Sequence, residues 1–470
     1  MDGSWTVIDA ANRTRITPMK LATVLALTAA LLVQAPTRAQ APAAAAPAPL
    51  QVKYSTFTLA NGLRVILHED HSVPLVTVNT WYHVGSANER PGRTGFAHLF
   101  EHLMFMGSGH APYGLFDEAL ETAGGTNNAS TENDRTNYYI DVPSNALELA
   151  LFFESDRMGY LLDAMKPMTV DAQRDVVKNE RRQSYENRPY GIADITLDEM
   201  LYPDNHPYHW PVIGYMPDLT AASYEDVVNF FRTYYSPANA SLVVAGDIDP
   251  VKTKALVEKW FSDVKGGPAP APVTNPGIRL TSVQRKTITD RVQLPRLYLA
   301  WLSPAQFAPG DAALDVLADV LAGGKNSRLY KRLVYDLQIA QDVTAYQESH
   351  ALISSFHVTA TPRPGHTVEE LQKIIDEEID RIQNEDPSDH EVQRSLNQME
   401  ASFYNRMERV GGFGGKADQI NAYFTWTGDP DWFNEDLGRY RSLSASDIRA
   451  AAWSFLPKDR RVELIVQPEK

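Results

Sequence analysis

Residues 94–106 of this 470-residue chain read Thr94-Gly95-Phe96-Ala97-His98-Leu99-Phe100-Glu101-His102-Leu103-Met104-Phe105-Met106. Their apolar side chains recur at helical spacing, which predicts an α-helix. Residues four apart lie on one face of a helix, so His98 and His102 can bind one metal ion together, with Glu101 beside them. The segment therefore predicts a helix that presents a metal-binding face.

The chemistry of these three side chains suits zinc. Zinc binds imidazole nitrogen and carboxylate oxygen, and a catalytic site keeps one position open for water. Bound zinc lowers the pKa of that water to about 7, and a neighbouring carboxylate can accept its proton. Glu101 is the candidate for this base. Such a short pattern also occurs on solvated helix faces, but burying it among these apolar residues without a partner would be costly.

A third ligand must come from another part of the chain. The chain contains no cysteine, which excludes thiolate ligands, disulfides and a cysteine nucleophile. The charged segment of residues 170–190 predicts a second helix, and it contains Glu180 and Glu186. Spacing alone does not choose between these two carboxylates, and a glutamate on an exposed helix is most often only solvated.

Composition divides the chain into segments. Residues 1–39 predict a secretory signal peptide, in which basic residues precede the largely apolar 13-residue run Leu21–Val33 and Met19 is a candidate for the true start. This run is shorter than the about 20 residues that a membrane span requires, so we expect a periplasmic or secreted protein. Residues 40–50, rich in alanine and proline, predict a tether, and residues 265–277 predict a linker.

The linker separates two halves of similar length, residues 51–264 and 278–470. The strand-like runs Val73–Trp81 and Leu294–Trp301 open the two halves, and a helical pattern that ends at glycine follows each run. Strands mixed with long helices predict an α+β domain, and the recurrence predicts that it is built twice.

Charge and motif content exclude several other functions. The formal net charge of -15 disfavours nucleic acid or an anionic membrane as a partner. The glycines of residues 411–415 lack the lysine pattern of a phosphate-binding loop, and the chain has no Gly-x-Ser-x-Gly motif of serine hydrolases.

Several blocks of the sequence, taken in order, resemble the pitrilysin family of zinc peptidases, which carry an inverted His-x-x-Glu-His motif. Insulin-degrading enzyme and mitochondrial processing peptidase are relatives within this family. The blocks span most of the chain after the tether, and they are Gly95–Ser108, Asn128–Thr131, Thr136–Tyr139, Val176–Glu180, Tyr234–Pro237, Gly246-Asp247 and Gly323–Leu329.

The resemblance implies two homologous α/β-roll repeats that face each other around a chamber for peptides or small unfolded proteins. It makes Glu180, which lies 78 residues beyond His102, the third zinc ligand. It also implies that Asn128 and Ala129 lie on an edge strand that pairs with the substrate backbone. The expected activity is that of a zinc-dependent endopeptidase with Glu101 as the base.

The second half is expected to bind no metal. A shift of 216 residues places Leu314 and Ala318 at the positions of the two histidine ligands, so we expect one zinc ion per chain. Gln173 stands seven residues before Glu180, where the family usually has a second glutamate. His206 and His209 resemble a loop of the family near the site, although packing roles are expected for them.

The family's active chains carry an arginine and a tyrosine, seven residues apart, in the second half. The corresponding positions here are Val334 and Gln341; Arg328 and Tyr335 have the same spacing but lie six positions too early. We therefore expect a homologous partner subunit that supplies this pair, as in the divided subunits of mitochondrial processing peptidase. The alternative is a non-catalytic scaffold subunit that binds peptides, although such subunits typically lose the zinc ligands.

Overall fold

The computed structural model describes residues 49–469. The predicted signal peptide and most of the predicted tether lie outside the described residues. Within residues 49–469, no helix combines the length and the apolar character that crossing a membrane requires.

Eleven strands in the described residues form two sheets. The strands are β1 (Tyr54–Thr58), β2 (Arg64–Glu69), β3 (Leu75–Tyr82), β4 (Thr126–Thr131), β5 (Thr136–Pro143), β6 (Ala240–Gly246), β7 (Gln284–Asp290), β8 (Arg296–Ser303), β9 (Ala340–Glu348), β10 (Ser354–Pro362) and β11 (Val462–Pro468). The first sheet has the order β1-β2-β6-β3-β5-β4, and the second has the order β7-β11-β8-β10-β9.

Fourteen α-helices accompany these sheets in the described part of the chain. They are α1 (Phe96–Leu103), α2 (Leu115–Ala123), α3 (Leu147–Ala164), α4 (Pro167–Arg181), α5 (Ala193–Leu201), α6 (Met216–Ala221), α7 (Tyr224–Tyr234), α8 (Pro250–Phe261), α9 (Asp311–Ala322), α10 (Val368–Asn384), α11 (Asp389–Met407), α12 (Lys416–Thr427), α13 (Phe433–Arg441) and α14 (Ala445–Phe455). The fold is therefore α+β, as the sequence predicts.

The two sheets repeat one topology. Strands β2-β6-β3-β5-β4 of the first sheet correspond in order to β7-β11-β8-β10-β9 of the second. In both sheets the first pair is parallel and the other three pairs are antiparallel. Strand β1 is the addition that distinguishes the first sheet. The prediction of a fold built twice is confirmed at the level of strand order and direction.

Both faces of each sheet are covered. Strand β6 is buried along its whole length, which is typical of strands with helices on both sides. On the first sheet, side chains of α1, α3 and α8 fill one face, and Ile420 and Tyr423 of α12 pack on the other against Ile66 and Val243. This second face is thus closed by a helix from the other half of the sequence.

The second sheet receives a helix from the first half in return. Leu197 and Leu201 of α5 pack against Tyr298, Ala300 and Leu464 of β8 and β11. The opposite face of that sheet is filled by its own helices α9, α10 and α14. The two halves therefore exchange one helix each, and the segment boundaries drawn from composition remain predictions.

A buried carboxylate fixes the exchanged helix α12 to the first sheet. Asp418 accepts hydrogen bonds from Trp81 Nε1 at 2.9 Å, Asn137 Nδ2 at 3.0 Å and Asn79 Nδ2 at 3.3 Å. The side chain of Lys416, two residues earlier, pairs with Asp70 after β2. Hydrogen bonds to a charged group are stronger than neutral ones, so this contact sets the position of the second half on the first.

Candidate metal centre

Helix α1 is shorter at both ends than the predicted segment. It begins after Gly95, whose positive φ of 85° favours glycine. No side chain fits at this position, because a Cβ would lie within 3 Å of Gly214 and Leu219. The buried carboxylate of Glu89 caps the helix, accepting from the N–H groups of Gly95 and Ala97 at 2.8 Å each. Burial raises the pKa of Glu89 to about 8. The cap fixes the direction in which α1 presents its side chains.

Three candidate ligands come together between α1 and α4. Glu180 Oε2 lies 3.2 Å from His102 Nε2, and Glu180 Oε1 lies 3.6 Å from His98 Nε2. The two imidazole rings are nearly perpendicular, at 84°, with their centroids 4.8 Å apart. One ligand atom from each of the three residues lies within 4.8 Å of the others. Within the described residues, no other group of three such side chains is arranged to hold a metal ion.

The spacing of this donor set fits a tetrahedral zinc ion. Metal–ligand distances of about 2.0–2.1 Å place neighbouring ligand atoms about 3.4 Å apart in a tetrahedron. Glu180 approaches each histidine at about this distance, with Oε2 3.2 Å from His102 Nε2 and Oε1 3.6 Å from His98 Nε2. Burial lowers the pKa of His98 to about 4, and the hydrogen bond with His102 lowers the pKa of Glu180. Zinc requires a neutral imidazole and an ionised carboxylate, so these two shifts favour the forms of His98 and Glu180 that bind it.

Glu101 lies beside the three ligands and has a partner of its own. Thr131, the last residue of β4, donates its hydroxyl hydrogen to Glu101 Oε2 at 2.7 Å. Burial raises the pKa of Glu101. The hydrogen bond leaves Oε1 available and fixes the carboxylate between the metal group and β4. The sequence assigned no role to Thr131, although it ends the block Asn128–Thr131, because its contact with Glu101 forms only in the folded chain.

Strand β4 forms one edge of the first sheet and carries Asn128 and Ala129. The N–H of Ala129 donates to the side-chain oxygen of its neighbour Asn128 at 2.8 Å. On the other side, Asn128 pairs with Tyr139 and Ala129 with Tyr138 of β5. Backbone groups on the open side of β4 are thus available to a further strand.

A cavity of about 500 Å³ joins the metal group to the second half of the chain. Residues of α1, α4 and β4 line it on one side. On the other side it is lined by Glu348, Ser349 and His350, where β9 ends and the turn to β10 begins. The sequence did not single out these three residues, because no motif marks a turn that approaches the site only in the folded chain.

Several residues weighed in the sequence lie away from the metal group. Glu186 accepts a hydrogen bond from Arg181 Nε at 3.2 Å, so the structure brings Glu180 and not Glu186 to the histidines. Gln173 donates to Met106 Sδ at 2.7 Å.

His206 and His209 have packing roles. His206 is fully buried, stacks on the ring of Tyr202, and accepts at Nδ1 from the N–H of Tyr208 at 3.1 Å. His209 Nδ1 lies 2.7 Å from the carbonyl oxygen of Tyr202. Burial lowers the pKa of His206 to about 4, which keeps that ring neutral at neutral pH.

The positions aligned with the family's arginine and tyrosine lie away from the cavity. Val334 packs against the second core, and Gln341 is exposed near the start of β9. Arg328 donates hydrogen bonds to both carboxylate oxygens of Glu391, at 2.6 and 3.0 Å, so its guanidinium group is held by that residue and not by the cavity. Tyr335 points into solvent with an exposure of 72%.

Two family models match the chain. Residues 64–202 match "Insulinase (Peptidase family M16)", and residues 221–399 match "Peptidase M16 inactive domain". The first range contains α1 and α4 with the candidate ligands, and the second contains α9.

Known proteins resemble the chain over most of its length. The zinc protease PqqE of Helicobacter pylori is 29% identical over 429 residues, which cover 88% of this chain and 93% of that protein. An uncharacterized zinc protease of Mycobacterium tuberculosis is 30% identical over 319 residues, covering 66% of this chain and 70% of that protein. A probable beta subunit of the mitochondrial-processing peptidase of Arabidopsis thaliana is 25% identical over 419 residues, which cover 85% of this chain and 75% of that protein.

The fold also matches solved structures. The crystal structure of a protease from Helicobacter pylori superposes with a TM-score of 0.83 at 27% identity, covering 89% of this chain and all of that one. The metal group, the cavity and the two-sheet architecture thus occur in a chain whose relatives are named as zinc proteases.

Proposed function

Because this chain belongs to peptidase family M16, we propose that it is a zinc-dependent endopeptidase that cleaves peptides or small unfolded proteins. The observation that carries the proposal is the convergence of His98, His102 and Glu180 beside Glu101, in a cavity bordered by an open strand edge. In this proposal the three side chains supply the protein ligands, Glu101 supplies the base, and the cavity gives a peptide access to them.

The three ligands would hold one zinc ion, and Glu101 would act as the base. Zinc in such a site polarises the scissile carbonyl and lowers the pKa of water to about 7. Glu101 accepts the water proton at Oε1, because Thr131 occupies Oε2. The same carboxyl group then returns a proton to the leaving amine.

Substrate would bind by extending the first sheet at β4. The N–H of Ala129, now held by the side chain of Asn128, would donate to a carbonyl of the substrate backbone instead. Pairing through main-chain groups gives affinity without a strong preference for particular side chains. Thr131 on the same strand holds Glu101, so the strand that aligns the peptide also aligns the base.

We further propose that the chain is the zinc-bearing subunit of a heterodimer. Each preorganised donor to the oxyanion of a peptide cleavage contributes about 2.7–4 kcal/mol, or a hundredfold and more in rate. Val334 and Gln341 replace the arginine and tyrosine expected of an active chain, and Arg328 is held by Glu391. The Arabidopsis relative is by its name one subunit of a larger peptidase. A homologous partner with the arginine–tyrosine pair would complete the site, in the periplasm or outside the cell.

Hydrolysis of an unfolded protein by the zinc-loaded chain, alone and mixed with such a partner, tests both proposals. We expect weak or no cleavage by the single chain, strong cleavage by the mixture, and loss of cleavage on chelation that added zinc reverses. Full activity of the single chain would contradict the heterodimer. Peptide binding without zinc-dependent cleavage under either condition would favour the scaffold subunit, the second candidate function.

A further inference from the structure

We infer that His350 is a substrate-contacting residue, which donates a hydrogen bond from its imidazole to a backbone carbonyl of the peptide inside the metal cavity. The inference rests on the proposed function and adds to it, because it assigns a catalytic role to the half of the chain that holds no metal. His350 lines the same cavity as His98, Glu101 and Glu180, and it does so from the opposite half.

The turn after β9 is fixed to the first half by its backbone. The N–H of Ala351 donates to Asp134 Oδ2 at 2.9 Å, and the N–H of Leu352 donates to the hydroxyl oxygen of Tyr208 at 2.9 Å. That hydroxyl in turn donates to Asp134 Oδ1 at 2.7 Å. Tyr208 is 1% exposed, and Asp134 lies between β4 and β5. The position of His350 relative to the metal group is therefore set by rigid parts of the zinc-binding half.

The same turn is tied to its own half on the other side. Ser349 Oγ donates to Asp311 Oδ1 at 3.1 Å, and Gln347 Nε2 donates to the same oxygen at 2.5 Å. The N–H of His350 donates to Ser354 Oγ at 3.0 Å, while its carbonyl accepts from the N–H of Gln306 at 2.9 Å. The backbone of His350 is thus satisfied, and only its side chain has unused hydrogen-bonding capacity.

The imidazole of His350 is largely buried but unpaired. Its side chain is 13% exposed, and one face packs on the ring of Tyr208 with centroids 5.1 Å apart. Its nearest acidic atom, Glu348 Oε1, is 3.7 Å away, which is beyond hydrogen-bonding distance, and within residues 49–469 its ring nitrogens have no other partner. Neither ring nitrogen is fully enclosed by protein, so this unused hydrogen-bonding capacity faces the cavity, where a substrate carbonyl can reach it.

The other two second-half residues that line the cavity do not offer this donor. The hydroxyl hydrogen of Ser349 is given to Asp311. Glu348, when ionised, only accepts hydrogen bonds and would oppose negative charge that develops on a carbonyl oxygen. His350 is therefore the side chain from this face of the cavity that can bind a substrate carbonyl.

The test compares His350→Ala and His350→Gln with His390→Ala, in the zinc-loaded chain with the partner that gives full activity. Gln retains an N–H donor, and His390 is an exposed histidine of the same half. We expect His350→Ala to lower kcat/KM at least tenfold with zinc content and melting temperature unchanged, His350→Gln to recover part of the loss, and His390→Ala to have no effect.

Binding of an uncleaved peptide gives a second measurement that does not depend on turnover. In the Glu101→Gln background, we expect the peptide Kd to rise at least threefold when His350 is replaced by alanine. Unchanged kcat/KM together with unchanged Kd would overturn the role of His350, and so would equal losses in the alanine and glutamine variants. Absence of zinc-dependent cleavage by the unaltered protein would instead overturn the proposed function, while the binding measurement would still decide on His350.

Discussion

Each half of the chain contains an equivalent pair of helices, but the side chains where the two helices meet are polar in one half and apolar in the other. In the first half, α1 and α4 meet at His98, His102 and Glu180. In the second half, α9 and α11 occupy the equivalent places, and Leu314 and Ala318 stand where the histidines would be, both buried in the core. One topology therefore supports a polar group that suits a metal in one half and an apolar contact in the other.

The difference between the helix pairs extends to how they are held. Helix α9 is buried along most of its 12 residues, and Asp319 near its end receives hydrogen bonds from Ser395 and from Arg394 of α11. Helix α1 has only 8 residues and places two imidazoles where α9 has apolar side chains. The second pair is stabilised by packing and protein hydrogen bonds, whereas the first is expected to depend in part on its metal.

The largest expected effect comes from a substitution that removes hydrolysis from the first half without changing its fold. Glu101→Gln should lower hydrolysis at least a hundredfold while zinc stays bound, because the base is not a ligand. Turnover and zinc content measured on the same sample check this, with Glu121→Gln at an exposed position of α2 as the control. A variant that kept a tenth of the original turnover would remove Glu101 from the role of base.

The second prediction concerns the ligand that α4 supplies. Glu180→Gln should weaken zinc affinity by about a hundredfold or more, since losing a ligand exceeds the 10–100-fold effect of an outer partner. Glu186→Gln, the matched change six residues later on the chain, should leave the affinity within a few-fold, because Glu186 bonds to Arg181. Zinc titration of both variants measures the difference, and the reverse order would assign the ligand to Glu186.

The third prediction compares equivalent positions of the two halves. Leu314→Ala should lower the free energy of unfolding by about 2–5 kcal/mol, with or without zinc, because it leaves a cavity in the second core. His98→Ala should remove only the stabilisation by zinc, which is about 4 kcal/mol at a metal concentration 1,000-fold above Kd.

Denaturant unfolding with and without a chelator separates these two cases. Chelation should abolish the difference between the His98 variant and the unaltered chain, and should leave the effect of Leu314→Ala in place. If zinc raised the stability of both chains equally, the assignment of His98 as a ligand would be wrong.

The sequence predicted the features that follow from a short stretch of residues or from a periodic pattern of apolar residues. Helical spacing placed His98, Glu101 and His102 on one face, and the alternation of apolar residues located strands such as β3 and β8. The choice of Glu180 needed the family resemblance, since its 78-residue separation from His102 is bridged by tertiary packing alone. The start of α1 was misplaced because Gly95, which packs closely on Gly214 far along the sequence, precedes the helix and delays its first residue to Phe96.

Features that depend on contacts between the two halves could not be predicted from the sequence. The turn that carries His350 is held beside the metal cavity by hydrogen bonds from its backbone to Asp134 and Tyr208, which are distant in sequence. The exchange of α5 and α12 likewise leaves no local signal, since an apolar helix face has the same pattern whichever sheet it covers.

The exchange of α5 and α12 sets the order in which the chain can become compact during its synthesis. The first sheet is complete once β6 ends at Gly246, but its outer face stays bare until α12, which begins about 170 residues later, has been made. Apolar strand faces exposed for that interval make the incomplete chain prone to aggregation. Both sheets are therefore covered only in the complete polypeptide. A cut at the linker would leave each fragment with one sheet face that lacks its covering helix, α12 for the first sheet and α5 for the second.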